Sequence, residues 1–137
     1  MVKALQDIWI LTDTGTTLFS RVFHEKLPDQ FFGALMSALN KFAEEIDKGG
    51  LSHFQMRSKQ FSILKQENLL FVASSDPKKV SEKKALNELK KIAAIFFKEY
   101  GEIIKNWDND ISVFEGFDKK IEESLEGVLK KFQKTFW

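Results

Sequence analysis

Apolar residues first cluster in short runs along this chain, then recur at every third or fourth position, then run and recur again. Leu5-Gln6-Asp7-Ile8-Trp9-Ile10-Leu11 ends in a run of β-formers, and Leu18-Phe19-Ser20-Arg21-Val22-Phe23 resumes one. Between them, Thr12-Asp13-Thr14-Gly15-Thr16-Thr17 supplies turn chemistry, with Gly15 tolerating the positive φ that hairpin loops demand. The pair predicts a β-hairpin. From Asp29 to Lys48 the period changes: Phe31, Phe32, Leu35, Met36, Leu39, Phe42, Ala43 and Ile46 fall on one side of a helix, with Ser37, Asn40, Lys41, Glu44, Glu45 and Lys48 opposite. Pro28 or Asp29 starts this amphipathic helix, and Gly49-Gly50 stops it.

Three shorter apolar stretches follow, Leu51 to Ser58, Phe61 to Lys65 and Leu69 to Ser74, separated by polar pieces such as Gln66-Glu67-Asn68, and they predict a three-stranded meander. Ser74-Ser75-Asp76-Pro77 breaks the pattern. A second helical stripe then runs from Ser81, a plausible N-cap, through Ala85, Leu89, Ile92, Phe96 and Tyr100 to Ile104. After Asn106 to Asp110, Phe114, Phe117, Ile121, Leu125, Val128, Leu129 and Phe132 mark a last helix. The order is β-β-α-β-β-β-α-α without internal repeats. It predicts an α+β fold, one five-stranded antiparallel sheet with three helices on its faces.

The 137 residues suit a single domain spanning 1–137, and 43% hydrophobic with 14 Phe is enough to build its core. Twenty-one basic against 20 acidic side chains leave a net charge of +1, so a polyanionic partner must be met by a local patch. With no cysteine there are no disulfides, thiolate nucleophiles or cysteine-based zinc sites, and a cytoplasmic location is expected, with room for peripheral contact at membranes. No apolar run approaches the roughly 18 to 20 residues of a membrane span, and Met1-Val2-Lys3-Ala4 lacks a signal-peptide apolar region.

Candidate chemistry is sparse. Asp13-Thr14-Gly15 after an apolar strand matches the signature around the catalytic aspartate of aspartic proteases. That chemistry needs two carboxylates sharing a proton in a nearly all-β dimer, and the three helical stripes here favour a hairpin turn instead. His24 and His53 stand in no zinc-binding spacing. Asp108-Asn109-Asp110 begins like a calcium loop, but Val113 replaces the required Gly and Lys119 the bidentate Glu, so capping of a helix start explains the carboxylates better. Gly15 lies in no phosphate-cradling frame. No catalytic residue, metal site or cofactor is expected.

Lys78, Lys79, Lys83, Lys84, Lys90 and Lys91 crowd the start of the second helix, relieved by Glu82 and Glu88. Cations in a first turn oppose the helix macrodipole, so helix stability does not explain Lys83 and Lys84. Two accounts stay open: a solvated face, or a patch, centred on Lys78, Lys79, Lys83 and Lys84, for an anionic membrane surface or an acidic partner. Nucleic acid is not expected, because the strands lack outward aromatics paired with Arg, which occurs only as Arg21 and Arg57.

The element order, the hairpin from Ile8 to Phe19 leading into an amphipathic helix, the meander ending Leu69-Leu70-Phe71-Val72-Ala73 and the Phe-rich second helix together resemble a longin domain over Leu5 to Leu129. Roadblock proteins are related but begin with a helix before the first hairpin. The resemblance implies binding scaffolds of membrane traffic and small-GTPase regulation rather than enzymes; the chain differs from SNARE members in lacking a SNARE coiled coil and C-terminal anchor. It also implies a dimer surface made by the first helix and the adjacent edge strand, here Leu51 to Ser58 with His53 and Gln55 on it.

The stripe of that helix is broader than one sheet needs, and Phe32, Met36 and Ala43 along one margin are candidates for the partner surface, with burial under a neighbouring helix as the alternative. Two functions follow. One is a non-catalytic interaction subunit, pairing with itself or a homologous longin- or roadblock-like subunit and acting on a small GTPase or membrane-traffic complex. The other is a free-standing ligand-sensing domain, which a cavity lined by Phe and Trp would favour.

Overall fold

The computed structural model describes residues 5–22 and 29–121. The hairpin consists of β1 (Ile8–Thr12) and β2 (Thr17–Arg21), followed by α1 (Asp29–Ile46), β3 (His53–Gln55), β4 (Gln60–Gln66), β5 (Leu69–Ser75) and α2 (Glu82–Lys105). A 3-10 turn, Ile111–Phe114, leads into helix at 117–121, and the rest of the expected third helix lies outside the described residues. Phe114 therefore sits in the 3-10 turn rather than the helix proper, because the Asp110 carboxylate accepts from Ser112 N and winds the chain one turn early.

The five strands form one antiparallel sheet in the order β2-β1-β5-β4-β3. Alternation assigns the two faces. Trp9 and Leu11 of β1, Leu70 and Val72 of β5, and Phe61 and Ile63 of β4 face α1, whereas Ile8, Ile10, Leu69, Phe71 and Ala73 face α2. Central β5 is covered on both sides, and all seven of its residues are buried. On the α2 side Phe96 is the hub, with ring centroids 5.7 Å from Phe71, 5.3 Å from Tyr100, 5.5 Å from Phe114 and 5.3 Å from Phe117.

Gly15, at φ +102°, makes the hairpin turn as expected, with its N–H donating to Thr12 O at 3.0 Å. Asp13-Thr14-Gly15 is thus turn structure. Ser81 caps α2 by accepting from Lys84 N at 3.1 Å. The third meander strand is shorter than Leu51 to Ser58, because only His53, Phe54 and Gln55 pair with β4 before Met56 N turns to Lys59 O.

One buried charge locks the sheet's corner. Asp7 Oδ2 accepts from Ser74 Oγ at 2.9 Å and from Lys59 Nζ at 3.3 Å, joining the approaches to β1 and β4 to the end of β5.

Candidate interaction surface

How α1 is rolled about its axis decides which of its side chains reach solvent. A Cβ on Gly33 would land on the Gly15 carbonyl oxygen and stand 2.7 Å from Thr17 Oγ1, so the helix rests directly on the hairpin turn only because residue 33 has no side chain. Ser37 Oγ donates to Asp13 O at 2.6 Å, one turn on. Asn40 Oδ1 accepts from Leu51 N at 3.2 Å, its Nδ2 donates to Glu44 Oε1 at 2.8 Å, and Glu44 meets Lys65 Nζ at 2.7 Å. At the N-terminal end Gln30 brackets Thr17, accepting from its N–H at 3.0 Å and donating to its carbonyl at 3.2 Å. The hydrogen bond from Lys65, aided by that from Asn40, holds the Glu44 carboxyl below its ordinary pKa.

Gly33, Ser37, Asn40 and Glu44 fall at helical spacing and form a small, polar seam that faces inward. This reverses two expectations. Ser37 and Asn40, assigned by periodicity to the solvent side, are buried, because their polar groups find backbone partners in the turn and the β3 approach. Phe32 and Met36, expected on a partner-facing margin, are 5% and 2% exposed, and Ala43 is half-buried beside them. Phe32 stacks on Trp9 with centroids 3.9 Å apart, in a series of ring contacts that continues through Phe61 to Phe54 on β3.

The roll turns another apolar margin outward. Phe31 is 58% exposed, Leu35 45%, Leu39 39%, Phe42 69% and Ile46 76%, and these five lie on one side over four turns of helix. Single exposed apolar residues are ordinary; a contiguous stripe of five large ones is not.

Beyond α1 on the same sheet, β3 is the terminal strand, bonded to β4 alone among the described residues. Of the two residues assigned to this edge, Gln55 is exposed, whereas His53 is half-buried, its Nε2 3.0 Å from Gln60 Oε1 and its Nδ1 4.0 Å from Glu82. Phe54 and Met56 extend the apolar surface along the edge, Met56 being 58% exposed. Sequence reasoning missed Phe31, Leu35, Leu39, Phe42 and Ile46 as the outward set; the small seam at Gly33, Ser37 and Asn40 was the signal for it.

Lys78, Lys79, Lys83 and Lys84 are all exposed, on the far side of the sheet from α1, as are Lys90 and Lys91. Among the described residues no helix is long and apolar enough to cross a membrane, and no three His, Asp or Glu side chains are grouped to hold a metal.

No family model matches the chain, and no curated protein matches its sequence. Solved structures do match in shape. The gliding protein MglB from Thermus thermophilus superposes with a TM-score of 0.55 at 13% identity, over 66% of this chain and 75% of that one. Myxococcus xanthus MglB gives 0.54 at 12%, over 66% and 80%, and an MglB with a tetrameric arrangement gives 0.51 at 14%, over 68% and 76%. The fold is of the longin/roadblock type. In this longin/roadblock-type domain the outward margin of α1 and the basic row of α2 lie on opposite layers, and the β3 edge, unpaired beyond β4 among the described residues, adjoins both, with Phe54 packed on the α1 side and His53 4.0 Å from Glu82 at the start of α2.

Proposed function

We propose that this chain is a non-catalytic interaction subunit that pairs with a second copy or a homologous subunit through α1 and β3, and that the pair scaffolds or regulates a small GTPase or a membrane-traffic complex. The observation that carries this is the outward apolar margin of Phe31, Leu35, Leu39, Phe42 and Ile46 beside a strand edge left open among the described residues. A two-fold operator would join two β3 strands into one continuous sheet and lay two α1 margins against each other, burying both features at once. The structural similarity to MglB, one example of which is described in a tetrameric arrangement, supports an assembling role. The small-GTPase setting is what the longin-like resemblance implies.

A ligand sensor would be favoured by an enclosed aromatic cavity. The cleft between β2 and the 3-10 turn holds about 310 Å³ but opens to solvent, with Phe19 and Phe114 as its aromatic lining among mostly polar residues. The α1 margin supports partnership more directly.

The absence of native cysteine makes the test clean. A single cysteine in place of Leu39, at the middle of the margin, is expected to give a disulfide-linked dimer under mild oxidation, and one in place of Lys90 on the opposite layer is not. Equal cross-linking at the two positions, or none at either, contradicts pairing through α1.

A further inference from the structure

The lysines expected at the start of α2 are the beginning of something longer. With Ala85, Leu89, Ile92, Phe96 and Tyr100 buried against the sheet, the opposite side of α2 carries Lys83, Lys84, Lys90, Lys91, Lys98 and Lys105, all exposed. Lys78 and Lys79, exposed in the preceding turn, extend the series. From Lys83 to Lys105 the row spans about 33 Å of helix axis.

Eight of the 21 basic residues and four of the 20 acidic ones lie between positions 78 and 105, so this element is positive while the remainder of the chain is negative. Two of the four glutamates are already engaged by members of the row: Glu88 by Lys91 at 3.3 Å and Glu102 by Lys105 at 3.3 Å. Glu99 lies 4.0 Å from Lys120, and Glu82 4.0 Å from His53. Lys83, Lys84, Lys90 and Lys98 line the same face without a carboxylate within ion-pair distance among the described residues.

We propose that this face of α2 docks the domain onto the headgroups of an anionic phospholipid bilayer. Three features select that occupant. The row is long and convex, and its central line is Asn87, Ala94 and Gly101, small residues that leave no protruding side chain to fill a partner's pocket; a Cβ on Gly101 would meet nothing within 4 Å. A flat layer of mobile anions fits such a face, whereas a folded acidic protein needs shape as well as charge. The cations are all lysine, compact point charges suited to diffuse headgroup charge rather than to bidentate readout of carboxylates or bases. Its solvent face bears no exposed aromatic ring of the kind that holds single-stranded nucleic acid. The absence of an apolar wedge makes this adsorption at the surface, not insertion. The contact is separate from the outward margin of α1, which lies on the opposite layer, and only its first turn adjoins β3, through Glu82 and His53.

Sedimentation with vesicles tests this. Wild type is expected to bind phosphatidylcholine vesicles carrying about 30% phosphatidylserine at about 0.05 M salt, to lose most of that binding at about 0.3 M, and to ignore pure phosphatidylcholine. Each lysine near such a surface is worth about a five-fold change in partitioning, so Lys83→Gln with Lys90→Gln and Lys98→Gln should weaken binding by about 100-fold, and the matching glutamate triple by more. The arginine triple, which keeps the charge, should bind like wild type, and unchanged circular dichroism keeps the comparison free of unfolding. The proposal is overturned if wild type binds both vesicle types alike or neither, if the glutamine triple binds as before, or if polyglutamate or duplex DNA is bound while anionic vesicles are not. Phe42→Ala, which addresses pairing through α1, should still bind anionic vesicles, so the two ideas can fail separately.

Discussion

Replacing Phe42 by Ala removes the most exposed ring on the outward margin of α1. Full burial of a large apolar side chain is worth about 1.5–3 kcal/mol, so the 69% of Phe42 still exposed represents about 1–2 kcal/mol per subunit if a partner covers it. Scaled by their exposures, the five margin residues together represent about 4–9 kcal/mol per subunit, or about 9–17 kcal/mol in a symmetric dimer. Association costs about 4–15 kcal/mol, and mid-range values leave a surplus of about 4 kcal/mol, half of the roughly 8 kcal/mol that a micromolar dissociation constant requires. On those mid-range values the proposed pairing draws on the edge of β3 as well, and the α1 margin alone would give a weak dimer. Phe42→Ala, counted in both subunits, should weaken the dimer by about 2–4 kcal/mol, or about 30- to 1,000-fold. Sedimentation equilibrium over a concentration series reads this directly, with thermal melting of the monomer unchanged. Met36→Glu provides the contrast: at 2% exposure it places a charge in the core and should unfold the chain rather than dissociate it. A wild type that stays monomeric at every concentration, or a Phe42→Ala variant that associates normally while Met36→Glu folds and dissociates, would refute the assignment of inner and outer margins.

Gly33→Ala should lower thermal stability by about 1–3 kcal/mol despite the better helix propensity of alanine, because its Cβ falls on the Gly15 carbonyl; a raised melting temperature would show that α1 does not rest on the turn. Asp7→Ala, which removes the acceptor of the Ser74 hydroxyl while its Oγ keeps the N–H of residue 7, and which releases Lys59, should cost about 2 kcal/mol in denaturant unfolding at neutral pH. Glu44 has a folded pKa below its ordinary 4.5, so its interaction with Lys65 stabilises the fold above that value and is lost as pH falls through the lower folded value. Its carboxyl resonance should accordingly titrate below 4.5 in wild type and move upward in Lys65→Gln, and an unmoved titration would remove Lys65 as the cause.

Elements whose character is set locally were legible in the sequence. The hairpin declares itself through Gly15 between two apolar runs, α2 through a long stripe with Ser81 at its start, and the doubly covered β5 through an uninterrupted apolar run from Leu69 to Ala73. The roll of α1 was not, because it is fixed by contacts to residues remote along the chain: Gly33 to Gly15, Ser37 to Asp13, Asn40 to Leu51. A stripe as broad as that of α1 is compatible with several rolls, and apolar content alone favours burying the wrong margin. The trace that discriminates is a second periodicity, Gly33, Ser37, Asn40 and Glu44 at the spacing of one helix face, too small and polar to register as a core. That choice has an energetic consequence. By seating the small polar seam on the hairpin, the domain leaves five large apolar side chains exposed, while it buries Phe32 and Met36 and gains hydrogen bonds worth about 1 kcal/mol each. On the pairing proposed above, a partner laid on α1 would cover the margin that this roll leaves exposed.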